Sequence, residues 1–204
     1  MTRRTLAVVS AGTSQPSSTR LLADQLAAAA AHLLDADGTA LDVAVIELRD
    51  LAPDITNHLL TGFPGPELRR ALATVTAANG IIAVTPIYNA SYSGLFKSFF
   101  DVLDPDAIVG TPTLIAATGG TERHSLALEH ALRPLFTHLR ASVVPTAVFA
   151  ASTDWGGGRE SHRSLAERVD RAASELARAV AAADAPGRSD PFATAPEFAR
   201  LLRG

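Results

Sequence analysis

The amino-acid sequence predicts a single α/β domain: a doubly wound parallel sheet of five strands, in the order 2-1-3-4-5, with helices on both faces. Short, continuously apolar runs, typical of strands buried in a parallel sheet, alternate with longer segments of helical periodicity. The 204 residues, 47% of them hydrophobic and 19% charged, suit one domain with a real core and fit two poorly. We assign 1–183 to this domain and 184–204 to a C-terminal tail.

The first half of the domain is predicted to hold three strands and two helices. The strands cover 6–9, 41–48 and 81–84. The first helix repeats apolar residues at a helical period and ends in the turn-forming segment 35–38. The second helix covers 67–79, with Gly80 as its C′ stop. We expect 49–66 to be a loop, because proline and glycine recur in it.

The second half continues the alternation. We expect strands over 113–117 and 143–150, the latter interrupted at Pro145, and a helix over 124–139 that Pro134 kinks or restarts. A glycine-rich loop, 152–160, precedes an extra C-terminal helix over 161–183. The tail opens as a linker rich in proline, glycine and serine, and we expect a short helix over 197–202.

The segment 85–101 joins the third strand to a helix beginning at Ser93, which is placed to be its N-cap. Pro86 should stop the strand, because it removes a ladder donor. Loops that leave the carboxyl ends of strands bind ligands in open α/β sheets. This segment is therefore the first candidate for a binding loop.

A second candidate loop, 10–19, joins the first strand to the first helix and is rich in hydroxyl side chains. A helix N-terminus offers free N–H donors and a positive dipole end, and so favours phosphate. The loop holds neither a Gly-x-Gly-x-x-Gly fingerprint nor a P-loop lysine, which argues against a pyrophosphate here and against ATP hydrolysis. A monophosphate fits better, with a polar N-capped turn as the alternative.

The pattern Pro86-x-Tyr88-Asn89-x-Ser91-x-Ser93-Gly94-x-x-Lys97-x-x-x-Asp101 resembles the second flavin loop of the NADPH-dependent FMN reductase family, which has a flavodoxin-like fold. The segment 118–121, Thr-Gly-Gly-Thr, resembles that family's third loop. The first loop is similar only loosely, since the family's common arginine is absent; Gln15 or Arg20 is the expected replacement. Segments 131–136 and 151–155 resemble the members that serve luciferase-like flavin monooxygenases.

The resemblance, which covers 6–155, implies an FMN site built from three loops. The candidate cofactor-binding residues are Ser10, Thr13, Gln15, Ser17, Ser18, Thr19, Pro86, Ile87, Tyr88, Asn89, Ser91, Thr118, Gly119 and Gly120. Backbone N–H groups of the second and third loops would hydrogen-bond the flavin ring and stabilise its reduced form. No catalytic side chain is expected, because hydride transfer from nicotinamide to flavin needs no proton shuttle on the protein.

The implied activity is an NAD(P)H-dependent FMN reductase that passes a hydride from NADPH or NADH to flavin N5 and supplies reduced FMN to a monooxygenase. An FMN-containing quinone or azo reductase remains an alternative, as does a non-enzymatic flavodoxin-type electron carrier. The net charge of −3 and the extra C-terminal helix and tail argue against the carrier.

Several other functions are disfavoured by composition and spacing. The chain has no cysteine, which excludes disulfides, thiolate catalysis and cysteine-based metal sites. Its six histidines show no metal-ligand spacing, and we interpret His124 as a helix-start or interface residue. With no basic cluster, nucleic acid is not an expected partner. The apolar run 6–9 is too short for a signal peptide or membrane span, so we expect a cytoplasmic protein.

The helix beginning at Ser93 also suggests an assembly. Phe96, Phe99 and Phe100 span more of its circumference than one core-facing stripe needs. The resemblance implies pairing through helices beside the flavin loop, so we expect a homodimer or homotetramer with Tyr88, Tyr92 and Phe96 near the interface. The alternative is that the second aromatic face packs under 50–66 of the same chain. Lys97 and Asp101 are expected to form a pair within the helix.

Overall fold

The computed structural model describes residues 3–156 and 159–183, and its centre is a sheet of seven strands. The strands are β1 (Arg3–Ser10), β2 (Ala40–Glu47), β3 (Gly80–Tyr88), β4 (Ser91–Tyr92), β5 (Pro112–Gly119), β6 (Ser142–Val143) and β7 (Val148–Ala151). The parallel order is β2-β1-β3-β5, with β6 and β7 both paired to β5. The predicted flavodoxin-like order is confirmed, with the fifth strand in two pieces around Pro145.

Helices cover both faces of this sheet. They are α1 (Ser18–Ala36), α2 (Ala52–Thr61), α3 (Pro66–Thr76), α4 (Gly94–Asp101), α5 (Arg133–His138), α6 (Ser152–Gly156) and α7 (Arg159–Ala182). One core lies between the sheet and α1 with α7, and contains Leu22, Leu26 and Leu176. The other core, on the opposite face, contains the aromatic cluster Phe96, Phe100 and Phe136. Because both faces are covered, residues 6–10 of β1 and 80–87 of β3 are buried.

The predicted loop over 49–66 is wrong. A 3₁₀ turn (Leu48–Leu51) leads into α2, and Pro53 lies in the first turn of α2, where no intrahelical N–H is needed. Gly62, with a φ of 77°, ends that helix in the left-handed region. Proline and glycine therefore mark the two ends of a helix here. Buried Ile55 anchors it to the core.

Two further boundary predictions are wrong. The helix α3 ends at Thr76, and Gly80 opens β3 instead of closing the helix; a Cβ there would lie 2.5 Å from Val180 Cγ2. Pro86 does not stop β3, which continues to Tyr88. The pairing with β1 has already ended at Val84, while the pairing with β5 continues to Pro86. The missing N–H of Pro86 therefore removes no bond from the β1 ladder.

The second half follows the prediction more closely. The 124–139 region is a 3₁₀ turn (Glu122–His124), a π-helical turn (Leu128–Leu132) and α5, and Pro134 restarts the helix as predicted. The described residues of the predicted loop over 152–160 belong instead to α6 and to the start of α7. The tail 184–204, with its expected short helix, lies outside the described residues. No helix in the described part of the chain is long and apolar enough to cross a membrane.

Candidate functional site

A cleft of about 430 Å³ opens at the carboxyl edge of the sheet, where β1, β3, β5 and β7 end. The predicted site residues that line it are Thr13, Ser18, Thr19, Pro86, Ile87, Tyr88, Thr118, Gly119 and Gly120. Ser14, Ser152 and Trp155 also line it and were not predicted. The three loops singled out from the sequence therefore converge on one concave surface.

The first loop is held at the N-terminus of α1 by its own side chains. Ser17 is the N-cap, and its Oγ accepts a hydrogen bond of 3.2 Å from the backbone N of Arg20. A Cβ on Gly12 would lie 2.0 Å from Ser17 Oγ, so only glycine permits this packing. The first turn of α1 carries no acidic residue, which leaves the positive end of the helix dipole unopposed there.

The first and third loops are joined beneath the cleft. Thr19 Oγ1 and Thr118 Oγ1 lie 2.8 Å apart, and both residues are buried. One of the two hydroxyls donates to the other, so the second keeps its own proton as a free donor. Ser10 is fully buried at the end of β1, and its Oγ has no hydrogen-bond partner within the described part of the chain.

The second loop is a hairpin rather than an open loop. Tyr88 pairs with Ser91 across a two-residue turn, Asn89 and Ala90, whose φ angles are 49° and 68°. The hydroxyl of Tyr88 lies 3.0 Å from Thr13 Oγ1, which bridges the first and second loops. Below the turn, Ser93 Oγ accepts from the backbone N of Phe96 at 3.2 Å, which confirms the predicted N-cap.

Five predicted site residues do not line the cleft. They are Ser10, Gln15, Ser17, Asn89 and Ser91. Ser17 serves as a helix cap and Ser91 as a strand partner, and Asn89 is exposed at the tip of the hairpin. With its amide oxygen turned towards Arg49, Gln15 accepts from that guanidinium.

Arg49, a cation that contacts the first loop, was not found from the sequence. Arg20 pairs with Asp24 at 2.7 Å and with Glu47 at 2.5 Å, and the hydrogen bond to Asp24 is the main cause of its raised pKa. Arg49 instead contacts the loop, donating from Nη1 to the carbonyl of Ser14 at 3.2 Å. Arg49 follows β2, the neighbour of β1 in the predicted strand order, and that adjacency was the available clue.

A fourth segment, α6, closes the cleft beside the third loop. Gly119, at the end of β5, pairs with Ala151, the last residue of β7. A Cβ on Gly119 would lie 2.8 Å from Phe149 Cζ, so the third loop packs closely against β7. The buried Asp154 and the half-buried Trp155 lie on the turn that follows. The sequence prediction left this segment without a role.

The lining of the cleft is polar but neutral. None of the described residues that line it is charged, and its polar groups are hydroxyls and backbone amides around two aromatic side chains. His124 lies in the 3₁₀ turn after the third loop and does not line the cleft. Lys97 and Asp101 form the predicted pair within α4, at 2.5 Å. The cleft is therefore equipped to bind and orient a ligand rather than to exchange protons with it.

Comparison with known proteins gives a consistent result. The family model described as NADPH-dependent FMN reductase matches residues 4–156. An FMN reductase (NADPH) of Pseudomonas aeruginosa is 38% identical, covering 83% of this chain and 88% of the relative. The NADH-dependent FMN reductase SfnE of Pseudomonas putida is also 38% identical, covering 81% and 86%.

Solved structures show the same likeness. An oxidoreductase from Corynebacterium diphtheriae superposes with a TM-score of 0.87 and is 46% identical, covering 90% of this chain and all of that one. The apo form of an NADH:FMN oxidoreductase, EMOB, gives a TM-score of 0.69 at 30% identity, covering 84% and 89%.

Proposed function

Because the chain belongs to the NADPH-dependent FMN reductase family, it is an NAD(P)H-dependent oxidoreductase acting on FMN, and we propose that the cleft at the carboxyl edge of the sheet is its flavin site. The observation that carries this proposal is the convergence of the loops after β1, β3 and β5 on one neutral cleft beside the N-terminus of α1. Open α/β sheets bind ligands at this position.

The first loop suits the phosphate of FMN. Ser18, the first residue of α1, is exposed, and one hydroxyl of the Thr19–Thr118 pair has a proton that is free to donate. Hydrogen bonds to a charged phosphate contribute roughly 1.5–3 kcal/mol each, so a few hydroxyls suffice without a cation in the cleft.

The second and third loops suit the flavin ring. Pro86, Ile87 and Tyr88 form one side of the cleft and Thr118 to Gly120 another, and the glycines let backbone N–H groups approach a planar ligand. Bound FMN would supply the hydride acceptor, and the chain supplies binding, orientation and hydrogen-bond donors. Donors fixed before the reaction favour a ring on which negative charge develops.

A titration of flavin fluorescence tests the proposal directly. FMN should bind more tightly than riboflavin, because only FMN offers a phosphate to the first loop, and more tightly than FAD, whose pyrophosphate the loop does not fit. Tighter binding of FAD would overturn the assignment of the first loop. Steady-state oxidation of NADPH and NADH with free FMN, menadione or an azo dye then identifies the electron donor and the preferred acceptor.

The use of the product is part of the proposal. We infer that reduced FMN passes to a flavin-dependent monooxygenase, supported by the segments 131–136 and 151–155, which resemble reductases of that kind. Both proposed electron donors are cytoplasmic metabolites, which supports a cytoplasmic location. Transfer is tested by coupling: NADPH oxidation by the reductase should drive product formation by such a monooxygenase, and catalase should leave the yield unchanged.

We propose that the enzyme is a homodimer or homotetramer, although the argument from phenylalanine is wrong. Phe96 and Phe99 are fully buried within their own chain, and α4 packs against α2 and Phe136. Support comes instead from Tyr88, which is 51% exposed, and from an open groove of about 580 Å³ between α4 and α5. Sedimentation at micromolar concentration tests this, and an active monomer would refute it.

A further inference from the structure

We propose that Trp155 forms a fourth wall of the flavin site, and that the ion pair between Asp154 and Arg168 holds it in place. The inference rests on the proposed flavin site and adds a ligand-contacting residue and two positioning residues to it. The three loops described above follow β1, β3 and β5, whereas Trp155 follows β7 and lines the same cleft.

Trp155 reaches the cleft from the face of the sheet that α1 and α7 cover. Its ring packs against the core on that face and is half-buried, so the packing restricts the motion of the side chain. Ser152, on the same short helix, also lines the cleft. The other aromatic side chain in the lining, Tyr88, lies on the second loop, so a ligand in this cleft meets aromatic groups from two different strand ends.

The segment that carries Trp155 is held by a set of buried and partly buried polar contacts. Asp154 Oδ2 accepts from the backbone N of Ala151 at 2.7 Å, as the third residue of a helix does when it bonds back to the cap position. Its Oδ1 accepts from Arg168 Nη2 at 2.6 Å, and the Asp154 side chain is 12% exposed. Arg168 Nη1 donates to the carbonyl of Phe149.

These contacts tie the turn to both of its neighbours. Ala151 and Phe149 belong to β7, and Arg168 belongs to α7, whose Leu165 and Val169 are buried in the core. Asp154 is buried and Arg168 is half-buried, so removing the guanidinium would leave the Asp154 charge without compensation. The pair therefore fixes the backbone immediately before Trp155, and with it the position of the indole.

An indole presents a broad apolar face, which complements the isoalloxazine ring better than it complements a phosphate. The expected effect of removing it is therefore the same for FMN and riboflavin, unlike the effect of removing a phosphate ligand. By analogy with the stacking of bases on aromatic side chains, Trp155→Ala should lower the affinity for both ligands by about tenfold. Trp155→Phe keeps an aromatic face and should retain most of the affinity.

Trp155 is the only tryptophan in the chain, so its emission reports on this position alone. The bimolecular rate constant for acrylamide quenching, obtained from emission lifetimes, should fall when wild-type protein is saturated with FMN. In the free protein, Asp154→Asn should raise that constant, and it should weaken FMN and riboflavin equally. Arg168→Lys keeps the charge and should retain most of the affinity. Thr153→Ala removes only an exposed contact of 3.5 Å to Glu122 and is the matched control.

Two results would overturn the inference. Unchanged affinity for both flavins in Trp155→Ala, with only the KM for NADPH raised, would show that the indole faces the nicotinamide. Quenching unaffected by FMN in the wild-type protein would show that the indole is not at the flavin, whether or not the variants fold. In either case the proposed function stands, because wild-type FMN binding is measured independently; failure of that binding would instead refute the proposed site.

Discussion

Thr19 Oγ1 and Thr118 Oγ1 lie 2.8 Å apart in a buried hydrogen bond that joins the second residue of α1 to the end of β5. The two residues belong to different loops of the proposed site, one on the phosphate side and one on the ring side. Their contact sets the spacing between these two parts of the cleft. Because both side chains are almost completely buried, a hydroxyl that loses its partner here is costly.

We expect Thr19→Val to lower the free energy of unfolding by about 1–3 kcal/mol, because it keeps the shape of the side chain but leaves the Thr118 hydroxyl unpaired. Thr118→Val should have a similar effect. The double variant should lose much less than the sum, since no unpaired hydroxyl remains. Urea denaturation of all four proteins measures this coupling, and strictly additive losses would contradict it.

Ser17 and Ser18 are neighbours with different expected roles. Ser17 caps α1, so Ser17→Ala should lower the free energy of unfolding by about 1 kcal/mol. Ser18 lines the cleft and is exposed, so Ser18→Ala should leave stability unchanged and weaken FMN by about tenfold or more, but not riboflavin. Denaturation and flavin titration of both variants separate these roles. Equal losses of affinity for FMN and riboflavin in Ser18→Ala would show that the first loop does not bind the phosphate.

Arg49 is expected to contribute to phosphate binding without lining the cleft. It contacts the first loop at Ser14 and Gln15, and its charge is partly offset by Glu47 at 3.2 Å. Arg49→Gln should weaken FMN by about 1 kcal/mol, roughly fivefold in Kd, with little change for riboflavin. Arg49→Lys keeps the charge and is the control. The loss should shrink at high salt, where the charge is screened.

How much of this site could be predicted depends on the range of the interactions involved. Ser93 and Pro134 act within one helical turn, so their effects as cap and as helix restart were predictable from the neighbouring residues. Arg49 and Trp155 reach the cleft from other strand ends, through the order of the strands in the sheet. The residues next to Arg49 or Trp155 in the sequence do not indicate that either side chain lies at the cleft.

Several wrong predictions concern proline and glycine. These residues predict a loop over 49–66, but Pro53 lies in the first turn of a helix and Gly62 marks its end. Pro86 lies in β3 beyond the last residue paired with β1, where its missing N–H breaks no bond of that ladder. The assignment of Phe96 to an interface is wrong, because Phe96 and Phe99 are fully buried within their own chain. The alternative is confirmed: α2, which lies within 50–66, packs against α4.

Replacing Ala90 by glycine should stabilise the protein. Its φ of 68° places it in the left-handed region, which is unfavourable for a residue with a Cβ. Ala90→Gly removes that cost and should raise the free energy of unfolding by about 1 kcal/mol. Thermal unfolding tests this, and FMN affinity should also be followed, because a looser hairpin would move Tyr88. A destabilised variant would contradict the left-handed conformation of Ala90.

The last prediction concerns the pH dependence of stability and the ion pair between Arg133 and Glu129, neither of which lines the cleft. Arg133 donates to Glu129 from Nε at 2.5 Å and from Nη2 at 2.8 Å, and to the carbonyls of Val144 and Pro145 at 3.2 and 3.0 Å. It thereby ties the π-helical turn to the connection between β6 and β7. The hydrogen bonds from Arg133 are the main cause of a lowered pKa at Glu129, and burial opposes them.

A carboxylate whose pKa is lowered by folding contributes stability above its unfolded pKa, roughly 4.3, and loses that contribution as the pH falls through its folded pKa. The Glu129 side chain is 48% exposed, so solvent screening keeps the contribution below about 1 kcal/mol. Glu129→Gln should therefore be slightly less stable than wild type at pH 7, and the two should converge as the pH falls below about 4. Urea denaturation at pH 7, 5, 4 and 3 measures this difference, with Glu67→Gln, in an exposed pair on α3, as the control. A difference that stays constant over this range would show that the Glu129 charge does not contribute to stability and that the side chain acts only through packing.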